Sequence, residues 1–172
     1  MNTSLDPTIT SDPFIITRTF DVPREKVWQA WTERERLIAW LGPKGVTIKV
    51  AKLDLRPNGT FHYGMLAGDG SLIWGKLVYR EIVAPERIVL ESSSSNEAGD
   101  VVRVPFRNQT WPLRLLATIT LAEQHSKTAL HFQMEPLDST ATERQTFDSM
   151  HHTMRDGWTS TFDQLTSYLI TA

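Results

Sequence analysis

The stretch FDSMHHTMRDGWTSTFDQLTSYL, residues 147–169, lies at the end of a chain whose central part has the patterns of strands and turns. Apolar and small side chains recur in it at steps of three and four residues, which is the spacing of one face of an α-helix. Charged residues such as Asp148, Arg155 and Asp163 fall on other faces. The pattern therefore predicts one long C-terminal helix of about six turns, whose apolar face carries Phe147, Met150, His151, Met154, Trp158, Thr161, Leu165 and Tyr168.

Strand and turn signals fill the region before this helix. Asn58-Gly59 is a strong hairpin signal, and further turns are predicted at 67–70, 83–87 and 125–127. Residues 92–100 include four consecutive serines, which predicts a flexible loop. Together with the β-branched and aromatic segment FIITRTF at 14–20, these patterns predict an antiparallel sheet of about six or seven strands.

Three tryptophans lie between the first predicted strand and the rest of the sheet, in VPREKVWQAWTERERLIAWLGP, residues 22–43. Pro23 suits the first turn of a helix. Thr32 followed by Glu35 fits a capping box, so a second short helix is expected to begin there. Helices at both ends of a run of strands indicate an α+β domain whose sheet is covered by the last helix. We expect two tryptophans to pack the first helix against the sheet, namely Trp28 and Trp31.

Composition excludes several classes of protein. The chain has 172 residues and a net charge of −2, whereas nucleic-acid-binding proteins carry a clear basic excess. It contains no cysteine, which excludes thiolate catalysis, cysteine-ligated zinc and disulfides. Residues 1–12 predict a flexible arm without the features of a secretory signal, and no apolar run approaches the roughly 20 residues that span a bilayer. We expect a cytoplasmic protein.

Four spaced motifs resemble a known family. They are RTFDVPREKVWQAWTERERLIAWLGP, LDLRPNGTFHY, GKLVYREIVAPERIVL and GWTSTFDQLTSYL, and the resemblance covers roughly residues 14–170. They are similar to homologues of the heat-shock protein 90 ATPase activator, and the similarity is to the C-terminal-domain-like family of these homologues. These homologues belong to the START-like superfamily (also called SRPBCC or Bet v-type), together with polyketide cyclases and the birch-pollen-allergen type.

The resemblance implies a helix-grip fold, formed by residues 13–172 as a single START-like domain. In this fold a strongly curved antiparallel sheet wraps round the long C-terminal helix and leaves a cavity between them. The two short helices after strand 1 close one end of the cavity, which would place Trp40 nearest its mouth. The stretch at 101–113 is longer than in many family members and is expected at the cavity rim.

The same resemblance leaves several functions open. Members of the superfamily bind hydrophobic small molecules, act as chaperone-associated proteins or cyclise polyketides, and fold alone does not decide between them. The first hypothesis is binding of an apolar or aromatic ligand, the second is a regulatory interaction module with a chaperone partner, and the third is a cyclase-like enzyme. Chaperone activators carry an additional N-terminal domain, whereas about a dozen residues precede the first strand here. A homodimer is also an open alternative.

The main candidates for contact with a ligand are large aromatic side chains, methionines and one histidine. Each has core packing as its alternative role, because burial of an aromatic ring is by itself strongly stabilising. Methionine is also typical of adaptable binding surfaces. The candidate pocket residues are Trp40, Phe61, Tyr63, Met65, Trp74, Trp111, Phe147, Met150, His151, Met154 and Trp158.

Little else in the sequence indicates chemistry. A helical zinc pair needs histidines four residues apart, and that pattern is absent, so no metal is expected. A P-loop and a dinucleotide-binding fingerprint are also absent, so no other cofactor is expected. His151 is expected either to be hydrogen-bonded in the core or to serve as a polar anchor in the cavity. Gly157 lies in the predicted helix, where glycine costs about 1 kcal/mol relative to alanine. We expect it to permit close packing against the sheet, with free space in the cavity as the alternative. No motif establishes an enzyme.

Overall fold

The computed structural model describes residues 12–103 and 110–172. It has the predicted α+β helix-grip architecture, with seven strands and four helices. The predicted arm lies outside the described residues, apart from Asp12. The elements in chain order are β1 (Phe14–Phe20), α1 (Arg24–Thr32), α2 (Arg34–Trp40), β2 (Thr47–Leu53), β3 (Thr60–Leu66), β4 (Leu72–Val83), β5 (Arg87–Ser94), β6 (Arg114–Gln124), β7 (Lys127–Leu137), α3 (Ala141–Ser149) and α4 (His151–Thr171).

The strands form one antiparallel sheet in the order β1-β7-β6-β5-β4-β3-β2. The two edge strands, β1 and β2, are connected by the helix pair α1–α2. The α4 helix packs against α1, α2 and β1. The inner face of the sheet and the inner faces of these helices thus enclose the apolar core, in which Phe61, Phe132 and Phe162 are fully or almost fully buried.

Most predicted turns connect strands as expected. Asn58, with a φ of 65°, lies in the β2–β3 connection. His125 and Ser126, also in the left-handed region, form the two-residue connection between β6 and β7, which is the backbone geometry of a tight hairpin. The flexible loop predicted at 92–100 is wrong in its first half. Residues 92–94 belong to β5, where they pair with β4, because backbone pairing does not depend on the polarity of the serine side chain.

The capping box predicted at Thr32 is also wrong, although the division into two helices is correct. The Thr32 hydroxyl donates to the carbonyl oxygen of Trp28 at 2.8 Å. The helices are separated by Glu33, whose extended backbone (φ −94°, ψ 125°) ends α1 and precedes α2. A threonine that bonds back to the preceding turn does not cap the next helix.

The predicted long helix is divided into α3 and α4 at Met150, which has non-helical backbone angles (φ −99°, ψ 2°). The N–H group of Met150 donates to the carbonyl oxygen of Phe147 at 3.1 Å, a tight turn of the 3₁₀ type. A capping box is present at the start of α3, where Thr140 Oγ1 accepts from the N–H group of Glu143 and the Glu143 carboxylate accepts from that of Thr140. None of the described helices is long and apolar enough to cross a membrane.

Candidate ligand-binding site

An opening beside α4, which we call the outer cavity, has a volume of about 280 Å³. It lies between α4, the segment after α2 and the inner face of the sheet. Its wall is formed mainly by aromatic, methionine and aliphatic side chains, and α4 contributes small residues to it. The lining residues are Leu41, Gly42, Pro43, Tyr63, Met65, Trp111, Leu115, Met134, Thr153, Met154, Gly157, Trp158 and Thr161.

A second space, the inner cavity, lies deeper beneath α1 and α2 and has a volume of about 70 Å³. It shares Leu41, Tyr63, Met134 and Trp158 with the outer cavity, so the two spaces adjoin. Three hydroxyl-bearing side chains interrupt its apolar wall. Its other lining residues, besides Tyr63, Tyr79 and Ser92, are Trp31, Leu37, Leu41, Leu77, Ile88, Leu90, Ala117, Ile119, Phe132, Met134 and Trp158.

A third space, the serine-lined cavity, has a volume of about 180 Å³ and lies where β5 ends. It shares Tyr63, Met65, Trp111 and Leu115 with the outer cavity. Its lining residues are Tyr63, Met65, Ile73, Trp74, Gly75, Ser92, Ser93, Ser94, Val102, Arg103, Trp111, Pro112, Leu113 and Leu115. All three cavities therefore meet at one side chain, Tyr63.

Tyr63 owes its position to Gly75, its partner in the register of β3 and β4. A β-carbon on Gly75 would lie 2.4 Å from both Cζ and Oη of Tyr63, so only glycine leaves room for this ring. Burial raises the pKa of Tyr63 to about 12. The pKa of Tyr79 is also raised, first by burial and then by the nearby Tyr63. Both phenols are neutral at pH 7, as tyrosines of ordinary pKa also are, and can donate hydrogen bonds.

Gly157 leaves a gap in the α4 wall of the outer cavity. A β-carbon at this position would have no heavy atom of another described element within 4 Å. The expectation that Gly157 permits close packing against the sheet is therefore wrong, and free space beside the helix is the observed result. No packing contact at Gly157 therefore offsets the conformational cost of a glycine in the helix interior.

The tryptophans of α1 and α2 divide differently from the expectation. Trp31 lines the inner cavity, whereas Trp40 is 2% exposed and lines none of these three cavities. It borders a fourth opening, of about 320 Å³, which shares Leu41, Gly42 and Pro43 with the outer cavity. The indole N–H of Trp40 donates to the carbonyl oxygen of Ala30 at 2.9 Å, and its ring packs edge-on against Trp31 with centroids 4.8 Å apart. The hydrogen bond directs the Trp40 ring into the interface of the two helices, so Trp40 borders this neighbouring opening and does not line the outer cavity itself. Trp28 is buried as expected.

Trp74 lies on the opposite face of the sheet from Tyr63. Its ring contacts the position of Gly64, where a β-carbon would lie 3.1 Å away, and stacks on His62 with centroids 5.1 Å apart. Trp74 nevertheless lines the serine-lined cavity, as its candidacy for the pocket requires, although its ring lies on the face opposite that of Tyr63.

Four other candidates pack beside the cavities instead of lining them. Phe61 stacks on Tyr63 at 5.0 Å, and Phe147 is fully buried against Trp111 and His151. Met150 is half-buried where α3 meets α4.

The His151 ring lies between Phe14 and Phe147 at centroid distances of 5.7 and 5.0 Å. Its buried Nε2 has no hydrogen-bond partner among the described residues, and the nearest carboxylate oxygen, on Asp148, is 3.9 Å away.

The structure thus brings five sequence-predicted residues together round the outer cavity: Tyr63, Met65, Trp111, Met154 and Trp158. Sequence reasoning missed Met134, which lines the outer and inner cavities, and Tyr79 and Ser92, which line the inner one. The alternation of Leu130, Phe132 and Met134 along β7 could have identified Met134. Ser92 could have been identified only if residues 92–94 had been assigned to β5.

Arg103 is the one charged side chain among the described residues that line the three cavities. Its guanidinium donates to the carbonyl oxygen of Trp111 at 3.0 Å and to the carboxylate of Glu143 at 2.9 Å. No group of three or more metal-ligating side chains occurs within the described ranges. The site therefore offers aromatic surface, hydroxyl groups and one paired cation.

Solved structures with the same fold come from several bacteria. A crystal structure of a protein from Nitrosomonas europaea has a TM-score of 0.73 at 24% identity, over 92% of this chain and 94% of that one. A solution structure of a protein from Arthrobacter aurescens has a TM-score of 0.75 at 21% identity, covering 95% and 92%. The AHSA1 protein of Silicibacter pomeroyi has a TM-score of 0.70 at 18% identity, covering 93% and 99%. No curated protein matches the sequence.

A family model gives the more specific assignment. It matches residues 21–170, from the end of β1 to the end of α4, and so includes the residues that form all three cavities. Its description is activator of Hsp90 ATPase homolog 1-like protein. The chain belongs to this activator of Hsp90 ATPase homolog 1-like family.

Proposed function

We propose that the protein binds a hydrophobic or aromatic small molecule in the outer cavity, between the sheet and α4. The observation that carries the proposal is the combination of an apolar wall with the gap at Gly157. Aromatic and methionine side chains would contact the ligand, above all Tyr63, Met154 and Trp158. Pockets for small molecules are typically apolar with a few polar groups, as this one is.

The volume restricts the size of the ligand. Small-molecule pockets commonly measure about 300–1,000 Å³, and an engineered cavity of about 150 Å³ accommodates benzene. The outer cavity, at about 280 Å³, lies at the lower end of the pocket range. A flat molecule of one or two rings is therefore a suitable first probe.

The experiment measures binding of 2-ethylnaphthalene through the fluorescence of the tryptophans, of which Trp111 and Trp158 line the cavity. Met154→Arg introduces a charge into the apolar wall and should weaken binding at least about tenfold. Ser167→Arg, on an exposed part of α4, is the matched control and should bind normally. Equal binding by Met154→Arg and the wild type, with both folded by circular dichroism, would contradict the proposal.

A regulatory interaction module is the second candidate, because the matching family model is described by the activation of the Hsp90 ATPase. The test measures the ATPase rate of purified Hsp90 from the same host with and without this protein. Stimulation at equimolar concentration would support the candidate. Native mass spectrometry of protein from its own host would in addition identify any bound small molecule and the number of subunits, including a homodimer.

A cyclase-like enzyme is the third candidate, favoured by the two tyrosine side chains, Tyr63 and Tyr79, that line the inner cavity. A neutral phenol can polarise a carbonyl group by donating a hydrogen bond to its oxygen. Incubation with an aromatic polyketide-like compound and mass spectrometry of the products would test it. Recovery of the unchanged compound would leave binding as the activity.

A further inference from the structure

Three hydroxyl-bearing residues of the serine-lined cavity lie close to Gly75 in the register of the sheet. We propose that the hydroxyl groups of Tyr63, Ser92 and Ser94 form a subsite for the polar end of the ligand, and that this end is an uncharged acceptor oxygen such as that of a ketone. This inference rests on the proposed function, because it names the chemical class of the molecule that the cavity would hold.

The register of three neighbouring strands places these hydroxyl groups together. Gly75 on β4 pairs with Tyr63 on β3 and with Ser94 on β5, and the next inward position of β4, Leu77, pairs with Ser92. Adjacent strands are about 4.8 Å apart. The tip of the Tyr63 ring lies over Gly75, so its hydroxyl extends from β3 towards the serines of β5. All three side chains line the serine-lined cavity.

The three hydroxyl groups have unused hydrogen-bonding capacity. Within residues 12–103 and 110–172, none of them forms a hydrogen bond with another side chain or with the backbone. Half-buried hydroxyls in native proteins normally have a partner, supplied by the protein, by water or by a ligand. An oxygen atom of a ligand placed above Gly75 could accept from more than one of them.

Charge favours a neutral acceptor at this position. Arg103, the cation beside the serine-lined cavity, already has the carboxylate of Glu143 at 2.9 Å. An anionic ligand would have to compete with this ion pair, whereas a ketone would not. The Tyr63 phenol is protonated at neutral pH and can therefore donate to such an oxygen.

The connection between the cavities indicates the orientation of the ligand. Tyr63, Met65, Trp111 and Leu115 are shared by the serine-lined and outer cavities. A flat ring system could therefore occupy the outer cavity between these side chains and those of α4, while its acceptor oxygen reaches the hydroxyl groups. The expected ligand is a planar aromatic or polycyclic ketone rather than a hydrocarbon or a carboxylic acid.

The experiment compares two probes of nearly equal shape, 2-acetonaphthone and 2-ethylnaphthalene, by isothermal titration calorimetry. Removing one neutral hydrogen bond should lower the affinity for the ketone about 2- to 10-fold. Tyr63→Phe, which retains the ring over Gly75, should therefore reduce the ketone-to-hydrocarbon affinity ratio by about this factor. Ser92→Ala should act in the same direction. Tyr168→Phe, outside all three cavities, is the control and should leave the ratio unchanged.

Three outcomes would overturn the inference. If both probes bind but neither Tyr63→Phe nor Ser92→Ala changes the ratio, the hydroxyl subsite is wrong while the proposed function stands. If 2-naphthoate binds more tightly than the ketone and loses its advantage in Arg103→Gln, the polar end is an anion site instead. If the wild type binds neither 2-acetonaphthone nor 2-ethylnaphthalene, the proposed function and the inference fail together.

Discussion

Strands β3 and β4 carry two aromatic–glycine pairs that are neighbours in register but lie on opposite faces of the sheet. On the inner face the Tyr63 ring covers Gly75, and on the outer face the Trp74 ring covers Gly64. A strand exposes successive side chains on alternate faces, so one step along the register moves an aromatic ring from the cavity wall to the outside of the molecule.

The two rings differ in what surrounds them. Trp74 stacks on His62, whose Nε2 lies 3.1 Å from the carbonyl oxygen of Asn96. Nearby on the same face, Lys76 donates to the carbonyl oxygen of Gly99 at 3.0 Å, so the turn at 96–100 holds the outer surface in place. Tyr63 borders three cavities and has a free hydroxyl within the described part of the chain. The outer pair thus contacts mainly the polar side chains and the turn on its own face, and Trp74 lines the serine-lined cavity alone, whereas Tyr63 of the inner pair borders all three cavities.

The largest effect is expected from Gly75→Ala. Its new β-carbon would lie 2.4 Å from the tip of the Tyr63 ring, so the ring must move. Overpacking of this kind typically costs about 1–3 kcal/mol. We expect the free energy of unfolding in urea to fall by about that amount, and 2-ethylnaphthalene to bind more weakly.

A double-mutant cycle with Tyr63→Leu tests the cause of this loss. If the clash with the ring is responsible, Gly75→Ala should cost much less in the Tyr63→Leu background, since neighbouring substitutions with a shared cause are not additive. Additive free energies would show that the alanine acts through the strand itself, and the comparison of the two faces would lose its basis.

Gly157→Ala should have the opposite sign. No atom of another described element lies within 4 Å of its β-carbon position, and alanine is favoured over glycine in a helix interior by about 1 kcal/mol. We expect the unfolding free energy to rise by up to this amount, as measured in urea. Gly157→Leu should place its side chain at the outer cavity and weaken 2-ethylnaphthalene binding. Destabilisation by alanine would instead reveal a packing role for this glycine.

The sequence allowed the fold to be predicted well because its strongest signals are local. The hairpin residues Asn58-Gly59 and the helical spacing of Met154, Trp158 and Leu165 each specify structure over a few residues. The resemblance to a family supplied the arrangement of these elements. The division at Met150 was not predictable, since the apolar spacing continues across it and only the backbone angles reveal the break.

The candidate site was predictable only in part, because its residues meet through long-range register. Tyr63 and Met65 share a face because they lie two residues apart on one strand, so their spacing alone indicates that they lie together. The face of Trp74 depends on how β3 pairs with β4, and that information is not local. The position of Trp40 is likewise not determined locally, since its hydrogen bond to Ala30 connects two helices.

Alkaline pH should affect the inner pair through Tyr63. Its pKa, ordinarily about 10, is raised to about 12 by burial in the folded protein. The unfolded chain therefore releases this proton first, so the contribution to stability is complete below about pH 10 and is lost as pH rises from there towards 12. Tyr63→Phe should show a smaller loss of unfolding free energy between pH 9 and about pH 11 than the wild type. Parallel urea profiles at each pH would contradict the burial of this phenol.

The smallest effect is expected on the outer face, from Gly64→Ala. Its β-carbon would lie 3.1 Å from the Trp74 ring, a tight contact that a small shift can relieve. Alanine also removes the disadvantage of glycine in a strand, about 0.5–1 kcal/mol, which offsets the contact. The unfolding free energy should therefore change by less than about 0.5 kcal/mol, with unchanged affinity for 2-ethylnaphthalene. Weaker binding in this variant, at unchanged stability, would show that the two faces are coupled through Gly64 and Gly75 and are not independent.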